Sequence, residues 1–307
     1  MSVALQSAIE SVNAVILGKE QQVKLAFSCL LAKGHLLIED LPGMGKTTLS
    51  HALAAVTGLD YNRIQFTSDL LPADILGVSI FEREAGTELG RFRFHPGPVF
   101  TQVLLADEIN RATPKAQSAL LEAMEEGQVT IEGETRPLPA PFFVIATQNP
   151  ISQSGTFPLP ESQLDRFLMR IQLGYPHQEA ERALLLGQDR RDMAAHLAEA
   201  LPKAELLRLQ QQVNDVQASS SVIDYVQRLI AYTRYDGGFQ YGLSPRGALA
   251  LLRSAKAWAL IDGRAFVLPE DIQRVLPAVV DHRLADAAQH GGHSVSQQLL
   301  NHVPVLL

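Results

Sequence analysis

The sequence LPGMGKTT (residues 41–48) lies between an apolar run, HLLIE (35–39), and an amphipathic pattern over residues 47–56. The apolar run is typical of a buried strand, and the amphipathic pattern is typical of a helix. Two glycines allow the loop backbone to turn consecutive N–H groups toward a phosphate, and the helix N-terminus adds the positive end of its dipole. This order predicts a phosphate-binding loop, although the strict motif has glycine where Asp40 stands.

Two side chains of this loop carry the predicted chemistry. Lys46 is expected to reach the β and γ phosphates of a nucleotide, and the Thr47 hydroxyl is expected to coordinate Mg²⁺. The candidate nucleotide-binding residues of the loop are Pro42, Gly43, Met44, Gly45, Lys46, Thr47 and Thr48. Because the tripeptide GKT alone is a weak indication, the prediction depends on what the rest of the chain supplies.

Polar side chains follow two further apolar runs. In QVLLADEINR (102–111), Asp107 and Glu108 come directly after a buried strand pattern, and in ATQNP (146–150) Asn149 follows the next one. The carboxyl ends of parallel strands line the ligand crevice, so these side chains are expected beside the phosphates. Asp107 suits water-mediated Mg²⁺ binding, and Glu108 suits polarisation of an attacking water. Asn149 could hold a water or a γ-phosphate oxygen, although an Asn-Pro pair alone is more often a turn.

Two arginines occur in defined local settings, LDRF (164–167) and LSPRG (243–247). In the second, Ser244 is a favourable N-cap and Pro245 suits the first helical position. Arg246 is therefore expected in a first turn, where a cation opposes the helix dipole. This placement suggests an anionic partner. Either Arg166 or Arg246 alone would more simply form a surface salt bridge.

Apolar strands alternating with helices predict an α/β fold with a parallel sheet covered on both faces. The predicted strands are residues 35–39, 63–66, 102–106, 142–147 and 169–173. Alternating patterns near 78–95 and 128–139 predict β-hairpin inserts, the second turning at 132–133 or 133–134. After residue 175 only helices are predicted, at 179–188, 205–213, 222–232, 245–261 and 269–275. We therefore expect a nucleotide-binding domain over 1–175 and a helical domain over 176–307.

Composition limits the class of protein. The chain has 307 residues, 46% hydrophobic and 19% charged, and no apolar stretch approaches the length of a membrane span. The first residues lack the pattern of a signal peptide, and the single Cys29 cannot form an internal disulfide. A net charge of −7 argues against a mainly electrostatic nucleic-acid binder. We expect a cytoplasmic protein without an integral membrane segment.

Three weaker patterns favour ordinary structure over function. RFRF (91–94) interleaves basic and aromatic residues, but a hairpin with Phe inward and Arg outward is favoured over nucleic-acid stacking. His290 and His293 in HGGH, with His302 further on, have loosely metal-like spacing, but the pattern favours a solvated loop over a metal site. The acidic side chains Glu122, Glu125 and Glu126 are expected on a solvated helix face.

Taken together, the motifs resemble the AAA+ ATPases, and specifically the MoxR family, over nearly the whole chain. The stretches that carry the resemblance are LIEDLPGMGKT, GPVFTQVLLADEINRATPKAQSALLEAMEEGQVT, ATQNP, FPLPESQLDRFLMR and LSPRGALALLRSAKAWALIDGR. Asp40, which departs from the strict phosphate-loop motif, is usual in this family. The resemblance implies a AAA+ nucleotide-binding domain followed by a smaller all-α lid domain.

The resemblance also implies a role for each motif. Lys46 and Thr47 correspond to Walker A, and Asp107 and Glu108 to Walker B. Asn149 corresponds to sensor 1, Arg166 to the arginine finger and Arg246 to sensor 2. Residues lining the adenine pocket would be Ile16, Leu17 and Gly18. The two hairpins correspond to the helix-2 insert and the pre-sensor hairpin.

The family further implies ATP and Mg²⁺ as ligands and a homo-oligomeric ring, typically a hexamer, in which a neighbour's Arg166 completes each site. It implies chaperone-like remodelling, activation or metal insertion of client proteins, often with a partner that carries a von Willebrand factor A domain. Two alternatives stay open. One is a magnesium chelatase-like motor subunit, and the other is a helicase-like or restriction-associated protein, which predicts tight, salt-sensitive DNA binding.

Overall fold

The computed structural model describes residues 2–83, 90–150, 155–187, 190–284 and 294–305. Nine strands occur in these ranges: β1 Leu36–Glu39, β2 Tyr61–Gln65, β3 Gly77–Arg83, β4 Gly90–Pro96, β5 Val103–Asp107, β6 Gln128–Ile131, β7 Glu134–Pro137, β8 Phe143–Gln148 and β9 Met169–Ile171. The helices there are α1 Val3–Val15, α2 Glu20–Leu31, α3 Lys46–Thr57, α4 Pro72–Leu76, α5 Pro114–Glu126, α6 Glu161–Leu164, α7 Gln178–Leu186, α8 Arg190–Ala195, α9 Lys203–Asp215, α10 Ser220–Ala231, α11 Pro245–Ile261, α12 Pro269–Val280 and α13 Val295–His302.

Five strands form one sheet in the order β2-β5-β8-β1-β9, and every pair in it is parallel. The predicted α/β class with a parallel sheet is therefore confirmed. Each of the five predicted strands is found, with ends shifted by at most two residues. The sheet places β1, which precedes the predicted phosphate-binding loop, between β8 and β9.

Alternate side chains of the central strands enter two separate apolar cores, so both faces of the sheet are covered. In β5, Val103 and Leu105 join the first core, whereas Leu104 and Ala106 join the second. The first core also contains α1 to α3 and the C-terminal helices, and the second contains α5. Burial on both faces explains why these strands are almost wholly apolar.

Two antiparallel hairpins, β3–β4 and β6–β7, stand apart from the central sheet, at the positions predicted for the inserts. The turn of the first lies outside the described residues. The prediction that both phenylalanines of RFRF point inward is wrong for Phe92, which is 70% exposed and packs edge-on against Phe81. A two-stranded hairpin leaves one face without a covering layer. Phe94 is partly covered by Phe100 and Arg136.

The C-terminal part is helical from α7 onward, with the last strand of the sheet ending at Ile171. The structure adds two helices that were not predicted, α8 and α13, and α12 continues to Val280 rather than ending at 275. The division into domains at residue 175 stays a prediction. Within the described ranges, no helix combines the length and the apolar character that crossing a membrane requires.

Candidate functional site

The loop between β1 and α3 has the backbone that the glycines predict. Gly43 and Gly45 have φ values of 85° and 89°, in the region that side chains disfavour, and a Cβ at either position would meet nothing within 4 Å. Glycine is therefore needed at both positions because of the backbone conformation, and not because a side chain would lack space. The loop has an open inner surface above the first turn of α3, where helix N–H groups are free to bind an anion.

Asp40 ties this loop to the rest of the sheet. One of its carboxylate oxygens accepts from the Leu41 N–H at 2.9 Å, and the other accepts from the Gly174 N–H at 2.6 Å. Gly174 follows β9, the strand beside β1. The residue that departs from the strict motif thus fixes the start of the loop, which a glycine could not do.

Lys46 spans the loop from the inside. Its ammonium group donates to the carbonyls of Asp40 and Leu41 at 2.5 and 2.8 Å. Partial burial lowers the pKa of Lys46, and the carboxylates of Asp40, Asp107 and Glu108 act in the opposite direction. A nucleotide that binds here has to replace these carbonyls with phosphate oxygens, which are stronger, charged acceptors.

Asp107 is the last residue of β5, and its two carboxylate oxygens have different partners. Oδ1 accepts from the Thr147 hydroxyl at 2.6 Å, and Oδ2 pairs with Arg63 at 2.6 Å. The register explains both contacts, because β5 lies between β2 and β8 and their carboxyl ends meet. The carboxylate is therefore held in one orientation, facing the phosphate-binding loop.

Glu108 has left-handed backbone dihedrals, φ 55° and ψ 49°, which cost free energy for a side-chain residue and often mark functional sites. Its N–H donates to the Thr147 hydroxyl at 2.9 Å, so one hydroxyl orients both acids. Its carboxylate accepts from Gln65 at 2.9 Å and pairs with Arg111 at 2.8 Å. The turn at Glu108 directs its side chain away from the line of β5 and into the pocket.

These residues meet in one pocket of about 240 Å³, which we call the P-loop pocket. Its lining residues are Pro42, Gly43, Gly45, Lys46, Thr47, Thr48, Asp107, Glu108, Thr147, Gln148 and Asn149. The structure therefore brings together the candidate residues from three separate motifs. Asn149 directly follows β8, and its carbonyl accepts from the Asn110 side-chain amide at 3.3 Å.

Some candidate binding residues lie elsewhere. Met44 packs against the first core and is not among the residues that line the P-loop pocket. Ile16, Leu17 and Gly18 lie between α1 and α2, also outside that lining. A Cβ on Gly18 would approach the His177 ring to 2.8 Å, so this segment packs against the start of α7.

Arg166 and Arg246 meet in a second pocket, of about 510 Å³, which we call the arginine pocket. Both pair with Glu125, Arg166 at 2.7 Å, and Arg246 also lies 3.9 Å from Asp165. The charged residues that line this pocket are the cations Lys33, Arg166, Arg246, Arg253 and Arg283 and the acids Glu125 and Asp165. Cations exceed acids in a chain whose net charge is negative, which suits an anionic ligand.

The two pockets lie at opposite ends of the sheet. The P-loop pocket lies where β1, β5 and β8 end, whereas the arginine pocket is lined by His35 and Leu168, which precede β1 and β9. The length of β1 alone separates the two ends by about 10 Å. Because the two pockets lie at opposite ends of the sheet, Arg166 and Arg246 do not reach the P-loop pocket of their own chain. His35 adds no charge to the arginine pocket, since burial lowers its pKa to about 4 and leaves it neutral at pH 7.

Known protein families share this architecture. Residues 35–169 match the model of the ATPase family associated with various cellular activities, and residues 231–302 match the AAA lid domain. The chain is 42% identical to the chaperone MoxR1 of Mycobacterium tuberculosis over 91% of its length and 75% of the relative's. It belongs to the MoxR family of AAA+ ATPases.

One further relative and one solved structure also match most of the chain. The chain is 46% identical to the uncharacterised protein YeaC of Bacillus subtilis, covering 91% of this chain and 86% of the relative. A crystal structure from Cytophaga hutchinsonii, described as a candidate ATPase, superposes with a TM-score of 0.87 at 37% identity. The match covers 98% of this chain and 94% of that one. The fold is thus a AAA+ domain with a lid domain, and the MoxR-family protein is an ATPase that binds nucleotide.

Four side chains in or beside the two pockets were not predicted to be functional. Arg63, Gln65 and Thr147 contact the acids, and Glu125 bridges the two arginines. The available signal was Thr147, a fully buried polar residue near the end of the otherwise apolar β8. The mostly polar and exposed β2 gave no such signal for Arg63 and Gln65. Glu125 was predicted to be merely solvated, but it forms two ion pairs. His290 and His293 lie outside the described residues.

The donor set of the P-loop pocket fits Mg²⁺ and its nucleotide. The Thr47 hydroxyl and the Asp107 carboxylate supply hard oxygen ligands, which Mg²⁺ prefers together with waters and phosphates. Over the described part of the MoxR-family chain, no group of three or more His, Cys, Asp or Glu side chains is placed to hold a metal ion. With two protein ligands of this kind, a bound Mg²⁺ would take its remaining ligands from phosphate oxygens and water.

Thr147→Val tests the shared hydroxyl, because valine has a similar shape but cannot hydrogen-bond. We expect turnover at saturating ATP to fall about 10–10²-fold, since a charge-assisted hydrogen bond contributes about 1.5–3 kcal/mol. Phosphate release and thermal melting would be measured together.

Thr57→Val is the matched control. Thr57 is fully buried in α3, and its hydroxyl donates to the Leu53 carbonyl at 2.7 Å, away from the acids. This variant is expected to melt earlier but keep its turnover. Wild-type turnover in Thr147→Val would show that the hydroxyl does not orient Asp107 and Glu108.

Proposed function

We propose that this chain hydrolyses ATP with Mg²⁺ in the P-loop pocket, in a ring whose neighbouring subunits complete each site, and that it remodels client proteins. The observation that carries the first part is the convergence of Lys46, Thr47, Asp107, Glu108 and Asn149 in one pocket at the carboxyl ends of three parallel strands. The same arrangement supports proposed roles for each residue.

In this proposal, the amides of residues 43–48 and the Lys46 ammonium bind the triphosphate, while Thr47 and Asp107 hold Mg²⁺. When bound, Mg²⁺ would neutralise part of the phosphate charge. Glu108 orients and polarises the attacking water, and Asn149 holds that water or a γ-phosphate oxygen. Ile16, Leu17 and Gly18 are proposed as adenine contacts.

Glu108→Gln tests the proposed base. The amide keeps the size and hydrogen-bonding reach of the side chain but cannot accept a proton, so turnover is expected to fall about 10²-fold or more. ATP affinity, measured by calorimetry, is expected to persist because the phosphate contacts come from other residues.

Glu126→Gln, on the exposed face of α5, makes the same chemical change outside both pockets and should keep full turnover. Wild-type turnover in Glu108→Gln would remove this residue from the mechanism. Loss of ATP affinity in the same variant would instead make it a binding residue.

The positions of the two arginines support a site shared between subunits. Arg166 and Arg246 face a pocket at the opposite end of the sheet from the P-loop, and Glu125 neutralises part of their charge. If one subunit's arginine pocket faces its neighbour's P-loop pocket, the contact is head-to-tail, which closes into a ring or continues as a filament. We propose a closed ring, a hexamer by family resemblance.

Arg166→Ala tests the shared site. Alone, this variant is expected to lose about 10³–10⁵ in turnover, the usual contribution of an arginine finger. Mixed equally with Glu108→Gln, it should recover roughly a quarter of wild-type turnover, because random assembly pairs an intact P-loop pocket with an intact arginine at one interface in four.

The control mixture replaces Glu108→Gln with the double variant Arg166→Ala/Glu108→Gln, which has no intact arginine to supply. This mixture should stay inactive. Failure of the first mixture to exceed it would mean that Arg166 does not act across an interface. Light scattering of the wild-type chain with ATP would give the number of subunits.

The proposed client activity follows from membership of the MoxR family. We propose remodelling, activation or metal insertion of a protein that carries, or works with, a von Willebrand factor A domain. A subunit that binds ATP without hydrolysing it should hold such a client longer than one that cannot bind ATP. This difference makes the two kinds of variant useful as baits.

Glu108→Gln with ATP is expected to retain a von Willebrand factor A protein from extract of its native cell, whereas Lys46→Ala is expected to retain none. Mass spectrometry of the eluates would measure this. Retention of a tetrapyrrole-binding subunit would favour the chelatase-like alternative. Salt-sensitive retention of DNA would favour the nucleic-acid alternative.

A further inference from the structure

Arg283 is a buried cation three residues after the end of α12. Its side chain is 4% exposed and pairs with the Asp165 carboxylate through Nε at 2.7 Å. Burial lowers the pKa of Arg283, and Asp165 acts in the opposite direction. Arginine nevertheless stays charged at neutral pH. Burying a charge is costly unless its donors are all used, so the partners of this guanidinium indicate what it does.

The backbone carbonyls that accept from the Arg283 guanidinium lie on both sides of Arg166 in the sequence. One terminal nitrogen donates to the carbonyls of Asp165 at 3.3 Å and Phe167 at 2.7 Å, and the other donates to the Leu168 carbonyl at 3.2 Å. The guanidinium thus binds the residue before Arg166 and the two residues after it. These contacts fix the backbone from which the Arg166 side chain projects.

The same side chain also contacts the helical C-terminal region near Arg246. A terminal nitrogen donates to the Val279 carbonyl in α12. A Cβ on Gly247, the residue after Arg246, would lie 3.2 Å from the Arg283 Cδ. The carboxylate of Asp165 is shared, with one oxygen bound to Arg283 and the other 3.9 Å from Arg246.

We propose that Arg283 is a positioning residue that holds Arg166 and Arg246 in place for the nucleotide of the adjoining subunit. It does so by clamping residues 165–168 to α12 and to the start of α11. This inference rests on the shared site proposed above. Through Arg283, the lid region directly influences the arginines that one subunit presents to the next.

A purely structural role for Arg283 makes a different prediction. If the guanidinium only held the fold together, its loss would impair the subunit's own ATP site and stability, and no neighbour could correct that. If it positions the arginines, the defect belongs to the face presented to a neighbour. Mixing with a subunit whose arginines are intact would then correct the defect.

The test variant is Arg283→Lys, which keeps the charge but cannot reproduce the planar fork of donors. We expect kcat to fall about 10–10²-fold from misplacement of the arginines, with ATP affinity unchanged. Mixing with Glu108→Gln subunits should restore turnover toward the level reached by the Arg166→Ala mixture. Where Arg283→Lys does not fold, Asp165→Asn removes the same pairing and should show the same pattern.

Arg264→Lys is the matched control. Arg264 also pairs with a buried carboxylate of the lid region, Asp271 at 2.6 Å, but it contacts none of residues 165–168. It should lower the melting temperature while keeping kcat. Control and test variants together separate stability from positioning.

Two results would overturn the inference. The first is wild-type kcat in both Arg283→Lys and Asp165→Asn. The second is reduced kcat that Glu108→Gln subunits fail to restore, in an experiment where they do restore Arg166→Ala. If Arg166→Ala is not restored either, the shared site itself is wrong, and the two failures are thereby told apart.

Discussion

The parallel pairing of β1, β5 and β8 is the constraint on which the nucleotide site depends. Ile145 of β8 lies beside Leu36 on one side and Leu105 on the other, so the three strands are in step and end together. The phosphate-binding loop, the acid pair and Asn149 each follow one of these strands. If β5 ran in the opposite direction, Asp107 would lie at the edge of the sheet that holds the arginines.

Residues that directly follow a strand could be predicted from the sequence, because their position depends on one apolar run and the loop after it. Glu108, directly after β5, and Asn149, directly after β8, are of this kind. Arg63 and Thr147 could not be predicted in the same way, since they contact Asp107 from 44 and 40 residues away. Those contacts depend on strand order and register, which no local pattern specifies. The Glu125 bridge is also non-local, since it joins the end of α5 to Arg166 and to the first turn of α11.

Helices and strands could be predicted where apolar periodicity was strong. Their ends were predicted less well where burial in the folded chain determines them. The apolar pattern predicted a helix over 269–275, two residues short of Pro277. Proline lacks the N–H that a helix interior uses, so it disfavours continuation of a helix. The structure continues α12 to Val280, since Val279 and Val280 are fully buried and the Pro277 carbonyl still accepts from the Asp281 N–H. Burial of those two side chains outweighs the missing hydrogen bond.

The separation of the two pockets has a consequence for how subunits communicate. In the proposed ring, one chain would offer its P-loop pocket at one end of the sheet and two arginines at the other, so neither end would be a whole catalytic site by itself. Arg283 joins the arginine end to α11 and α12, both in the lid region. A displacement of that region would therefore move Arg166 relative to the neighbour's nucleotide, even though its own P-loop stays unchanged. In such a ring, the lid acts on the site of the next subunit more directly than on its own.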